Sequence, residues 1–109
     1  MKILLDECLP VDFRHSFPDH EVHSVQWAGF KGKKNGELLA AAEAAAYQVF
    51  LTIDHGIPHQ ERPADRNLAI ILMRAKTNQL EDLVPLIDSV SVALTHLDPG
   101  QVISIPAKR

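Results

Sequence analysis

Apolar positions in this chain fall into short continuous runs, separated by stretches whose spacing is helical. The first run, Ile3-Leu4-Leu5 within Lys2-Ile3-Leu4-Leu5-Asp6, predicts a strand. Pro10 and the amphipathic stretch through Phe17 predict a helix after it, with Pro10 in the first turn, where a missing N–H costs nothing. Phe17-Pro18-Asp19-His20 is turn chemistry, and residues 21–25 alternate around Val22 as a second strand. Residues 27–34 read as a loop containing Gly29 and Gly32. Asn35 is the expected N-cap of an alanine-rich helix over 36–47, alanine being the best helix former. Residues 49–53 and 68–73 are almost wholly apolar, as buried parallel strands are. Between them, 55–65 is expected to be irregular, because Pro58 and Pro63 prevent a long helix. Asn78-Gln79-Leu80-Glu81 resembles a capping box opening a last helix, whose stripe is Leu80, Leu83, Ile87, Val90, Leu94 and Leu97. Pro85 should kink or delay that helix. Asp98-Pro99-Gly100 is a turn, and 102–105 a closing strand before a basic tail.

Strands alternating with helices predict one domain over 1–109, a three-layer α/β/α sandwich of Rossmann-like type with a mostly parallel sheet. Right-handed crossovers favour the strand order 2-1-3-4-5. In that order strands one and three are neighbours, and the acids that end them, Asp6 and Asp54, flank the point where the chain reverses its winding. Ligands of open α/β sheets bind at such a point.

Composition narrows the chemistry. The chain has 109 residues, 46% apolar and 23% charged, which suits a globular domain with a real core. A formal charge of −3 gives no overall basic surface, so a polyanion would need a local basic patch. The one cysteine, Cys8, cannot form an internal disulfide and suits a reducing compartment. No signal peptide is recognisable at the start, and no apolar run approaches ~18 residues. A cytoplasmic protein that does not span a membrane is the expectation.

The candidate site is a set of carboxylates. Asp6 and Asp54 end strands, and Glu37 opens the middle helix. Three acids on one rim would repel unless a hard divalent cation, which takes oxygen ligands, lay between them. Mg²⁺ or Mn²⁺ held in this way supports phosphodiester hydrolysis. Each acid also has a structural explanation: Asp6 and Asp54 as helix caps, and Glu37 as compensation of the helix dipole. Two acids on neighbouring strands favour a site. Glu7 is a candidate outer ligand or a solvated rim acid. Asp82 or Glu81 could add a further acid to the metal set, although Glu81 already has a capping role. Asn78, after strand four, is a candidate substrate contact if it is not simply an N-cap.

Lys31-Gly32-Lys33-Lys34 precedes Glu37, and its lysines are candidate phosphate contacts. Arg62, Arg66, Arg74 and Lys76 could extend that patch. His55 and His59 have zinc-like spacing, but Pro58 intervenes and no Glu follows His55; His20 and His23 have no supporting ligands. Asp6-Glu7-Cys8-Leu9-Pro10 contains no glycine, which argues against a nucleotide-binding turn. Cys8 has no assignable partner histidine and is expected to be a half-buried thiol.

Taken in order, Lys2-Ile3-Leu4-Leu5-Asp6-Glu7-Cys8-Leu9-Pro10, Glu21-Val22-His23-Ser24-Val25, Asn35-Gly36-Glu37-Leu38-Leu39, Leu51-Thr52-Ile53-Asp54 with Gln60, Asn78-Gln79-Leu80-Glu81-Asp82-Leu83 and Pro99-Gly100-Gln101-Val102 resemble the small PIN-like proteins of toxin–antitoxin operons. The resemblance covers nearly the whole chain. It implies a Rossmann-like PIN fold, Mg²⁺- or Mn²⁺-dependent endoribonuclease activity on RNA, a cognate antitoxin that blocks the site, and homodimers as relatives often form. It maps Asp6, Glu37 and Asp54 onto the PIN acidic cluster. Many relatives carry an acid where this chain has Asn35, which makes Glu37 the substitute. Asp82 or Glu81 stands for the fourth acid. The same departures leave a second expectation, a degenerate PIN-like module that binds without cutting.

A third expectation comes from a different class, a domain resembling a response-regulator receiver, with Asp6 and Glu7 after strand one and Asp54 as phosphoacceptor. Against it, Ile105-Pro106-Ala107-Lys108 lacks the receiver's lysine position, and Leu72-Met73-Arg74-Ala75 lacks its hydroxyl.

Overall fold

Each apolar run becomes a strand of one sheet, and the sheet is parallel throughout. In the computed structural model, which describes residues 1–57 and 66–106 apart from the side chain of Asn35, β1 is Lys2–Leu5, β2 Glu21–Ser24, β3 Val49–Thr52, β4 Ala69–Met73 and β5 Val102–Ile105. Their order is β2-β1-β3-β4-β5. Ile3 lies opposite both Val22 and Val49, Val49 opposite Ala69, and Ile70 opposite Val102, every pair parallel. The expected order is found, and the sheet is wholly rather than mostly parallel. Pro58, His59, Gln60, Arg62, Pro63 and the tail residue Lys108 lie outside the described residues.

Side chains alternate across a strand, so the central strands supply two core layers. On one face Ile3, Leu5, Val49, Leu51, Ile71 and Met73 pack with Phe13, Phe17, Leu83, Val90 and Leu94. On the other, Leu4, Phe50 and Ile70 pack with Leu38, Leu39 and Ala42 of helix α1 (Asn35–Ala44) and with Tyr47. Burying both faces is what makes such strands nearly continuous apolar runs. The result is a Rossmann-like α/β sandwich. No helix among the described residues is long and apolar enough to cross a membrane.

The helical expectations need correction in the first two helices and at the cap of the last, whose break at Pro85 is as expected. The stretch after Pro10 is a 3-10 helix, Val11–Ser16. The Phe13 N–H bonds the Pro10 carbonyl (3.0 Å), and Pro18 forces Phe17 out of helical geometry (φ −128°, ψ 68°) before an α-helix can develop.

Helix α1 begins at Asn35 itself, with Lys34 in the cap position and no side-chain cap bond. It stops at Ala44, short of 47, because Ala46 turns left-handed (φ +67°). The Tyr47 N–H then reaches the Ala42 carbonyl and the Ala46 N–H the Glu43 carbonyl, each at 3.0 Å, which is a Schellman end.

The last helix is broken in two. Helix α2 is Leu80–Leu83 and helix α3 Ile87–Leu94, with a 3-10 turn Val84–Leu86 around Pro85 between them. Proline has no N–H to continue the helical ladder. The capping box does not form: Gln79 holds the cap position without a side-chain bond. Instead the Thr77 hydroxyl accepts the Gln79 N–H (3.0 Å) and donates to the Asp82 carboxylate, while Asn78 Nδ2 donates to the Cys8 carbonyl (3.0 Å).

Candidate functional site

Strands β1 and β3 are neighbours, so Asp6 and Asp54 emerge side by side at the carboxyl ends of the sheet. The Asp6 N–H continues the ladder to the Leu51 carbonyl (2.9 Å). What joins the two acids is Thr52, a fully buried residue between them. Its hydroxyl donates to Asp6 Oδ2 (2.6 Å) and accepts the Asp54 N–H (2.9 Å). A buried hydroxyl must find partners, and this one uses both its donor and an acceptor position on the two acids' residues.

Backbone groups fix the rest. Asp6 Oδ1 accepts the Glu7 N–H (2.7 Å), and Asp54 Oδ1 accepts the Gly56 N–H (2.9 Å), so each carboxylate is oriented by its own downstream loop. Asp6 is half-buried and Asp54 exposed. By alternation from Leu4 and Phe50, Asp6, Thr52 and Asp54 lie toward the face covered by α1.

Helix α1 runs back along the parallel crossover, so its first turn, bearing Glu37, lies at this same rim and on this same face. The exposed Glu37 carboxylate pairs with Lys33 one turn earlier (3.3 Å). Lys31 and Lys34, on the same loop, are exposed and have no ion-pair partner among the described residues. Arg66 belongs to a different construction: its guanidinium donates to the Gly36 carbonyl (3.3 Å) and sits 3.9 Å from Glu43 along α1. Arg74 and Lys76 are exposed beyond β4.

Asp82 stands apart. Leu83, the next residue, is buried in the opposite core layer, and the Asp82 carboxylate accepts the Thr77 hydroxyl. Asn78 is drawn to the rim by its bond to Cys8, so it holds the loop after β1 in place. Glu81 and Glu7 are solvent-exposed. Burial, and then the charge of Asp6, push the Cys8 thiol up to about 11, which keeps it protonated and a poor nucleophile at neutral pH.

His20 and His23 do not form a pair. His23 Nδ1 meets the Tyr47 hydroxyl at 2.8 Å, and its other nitrogen lies 3.5 Å from Glu21. His55 is exposed at the turn after Asp54, and its expected partner His59 lies outside the described residues.

Among the described residues, no three His, Cys, Asp or Glu side chains are grouped so as to hold a metal ion. The Asp6 and Asp54 carboxylates do suit a hard, hydrated cation. The bonds from Glu7, Thr52 and Gly56 fall on three different carboxylate oxygens, which leaves lone pairs free, and Mg²⁺ retains several waters on binding.

No family model, no curated protein and no solved structure matches the chain.

Sequence reasoning overlooked Thr52. The available sign was a polar, β-branched residue in an otherwise apolar strand, one that cannot be buried without partners.

Proposed function

We propose that this chain is a metal-dependent endoribonuclease of the PIN-like kind, the toxin component of a toxin–antitoxin pair. The observation that carries the proposal is the Thr52 bridge, which fixes two strand-end acids at the reversal point of a parallel sheet. The ordered resemblance of the whole chain to small PIN-like toxins supports it. Asp6 and Asp54 are the residues that would hold Mg²⁺ or Mn²⁺, with Glu37 the candidate third ligand. The ion supplies phosphate polarisation and a water of lowered pKa.

The chain's own groups do the positioning. Thr52 and the Glu7 N–H hold both oxygens of Asp6, so little reorganisation is needed when positive charge arrives. The Gly56 N–H holds one oxygen, Oδ1, of Asp54. Lys31 and Lys34 offer positive charge to the flanking phosphates at the rim. A cognate antitoxin would act by covering these groups.

The test is cleavage of a labelled single-stranded RNA by purified protein with Mn²⁺. Wild type is expected to cut, and Asp6→Asn and Asp54→Asn to lose cutting with unchanged circular dichroism. Equal cleavage by wild type and the double variant sinks the proposal. If wild type binds RNA and Mn²⁺ without cutting it, the chain is instead a binding-only relative.

A further inference from the structure

The largest exposed aromatic group on the described surface is Trp27, whose 70% exposure is unusual for the residue with most apolar area to hide. It is nonetheless firmly placed. Its indole stacks on the His23 ring, with centroids 3.9 Å apart and planes 25° apart. That ring is held from behind by the Tyr47 hydroxyl (2.8 Å) and flanked by Glu21 (3.5 Å). The Trp27 N–H donates to the Ser24 hydroxyl (3.0 Å). One face of the indole is therefore covered by an imidazole, while most of its surface remains in water.

Beside it opens a cleft of about 220 Å³ lined by Val11, Arg14, Val22, His23, Ser24 and Trp27. This is smaller than a drug-sized pocket and suits a single flat ring. Arg14 is exposed at the cleft with no ion-pair partner among the described residues. Lys31 and Lys34 follow Trp27 on the same loop. Cations interleaved with a stacking aromatic are what single-stranded nucleic acid requires: charge for the backbone and a π-face for a base.

The cleft opens on the edge strand β2, one strand away from the strand that Asp6 follows, with Val22 on the face opposite α1. Ser24 is in register with Leu5, the residue before Asp6, and parallel strands lie about 4.8 Å apart.

We infer that Trp27, stacked on His23, is a base-stacking platform for a nucleotide of single-stranded RNA, with Arg14 contacting its phosphate, at the β2 edge of the sheet. The inference deepens the ribonuclease proposal by defining where the strand enters. It predicts a preference for unpaired RNA, because a base inside a duplex cannot offer its face.

Trp27 is the only tryptophan, so its emission reports the site directly. The experiment titrates the full chain in EDTA, where no cleavage occurs, with an end-labelled single-stranded hexaribonucleotide. Tryptophan emission and label anisotropy are followed together. Saturable quenching is expected, with binding ~10-fold weaker in Trp27→Ala and nearly retained in Trp27→Phe. Arg14→Ala should weaken binding and flatten its salt dependence. Circular dichroism establishes that the variants fold.

RNA that binds without quenching, binds Trp27→Ala as tightly as wild type, or binds equally well as a duplex overturns the inference, as does an absence of RNA binding. In the last case a protein partner becomes the better occupant of the cleft. Quenching with the expected variant order, but no cleavage with Mn²⁺, would leave the platform standing and remove only the ribonuclease proposal. Cleavage without quenching would do the reverse.

Discussion

The acids of this chain come in two kinds of setting. Asp6 and Asp54 follow strands that end in the fully buried residues Leu5 and Thr52, and the Thr52 hydroxyl bridges the two acids' residues. Glu37 and Asp82 sit in the first turns of helices and take partners from their own neighbourhood, Lys33 four residues away and Thr77 five away. The first kind is positioned by the sheet and has little freedom. The second is positioned by local pairs, which in water contribute little and exchange readily. Rigid placement of charge is what catalysis exploits, so the strand-borne pair should dominate any activity.

The strongest way to break that comparison is at Asp6 and Asp54. Asp6→Asn or Asp54→Asn should lower Mn²⁺-dependent RNA cleavage by on the order of 100-fold or more, whereas Glu37→Gln should cost less than about 10-fold and Asp82→Asn leave the rate unchanged. Matched initial rates on one labelled RNA check all four. A larger loss at Glu37 than at Asp54 would invert the ranking.

Next comes the bridge itself. Thr52→Val keeps the shape but leaves Asp6 and the Asp54 N–H without their shared partner, and should cost about 1–2 kcal/mol in urea unfolding, together with activity. Thr52→Ser restores the hydroxyl and should recover most of both.

A third effect follows from Cys8, whose thiol lies at about 11 when folded against 9.0 for an unhindered thiol. Above pH 9 the unfolded chain loses this proton while the folded chain keeps it. Stability should therefore fall as pH rises from about 9 towards about 11, and be unaffected by this group below that window. Thermal melts should show a shallower decline in Cys8→Ala than in wild type. Because the Asp6 charge contributes to the shift, Asp6→Asn should also speed alkylation of Cys8 at pH 8.

The smallest effect serves as a control remote from the rim. Ala46 holds a left-handed conformation that glycine adopts more cheaply. Ala46→Gly should stabilise the fold by about 0.5–1 kcal/mol without altering cleavage.

Legibility in the sequence followed the same division. Strand positions were readable because burial on two faces demands continuous apolar runs, and β1, β3 and β4 lie where those runs do. The strand order followed from handedness rules that leave few alternatives. Helix ends were harder. Asn35 and Asn78 have good capping chemistry, yet Asn35 lies inside its helix and Asn78 is spent on the Cys8 carbonyl, a bond 70 residues away that no local pattern signals. The pairing of Glu37 with Lys33 was within reach of simple i, i+4 reasoning. The stacking of Trp27 on His23 was not, since it depends on how the loop after β2 turns back over the strand.

An all-parallel sheet has no hairpins, so none of its strand pairings can be made by residues close in the chain. The two residues joined by the hydroxyl of Thr52 are Asp54, two positions later, and Asp6, 46 positions earlier. Closing loops of that size before any pairing is gained makes such topologies slow to fold. For a chain emerging from the ribosome, the first acid is synthesised early but cannot meet its partner until β3 has appeared and docked. The rim is thus assembled late, once β3 has docked beside β1.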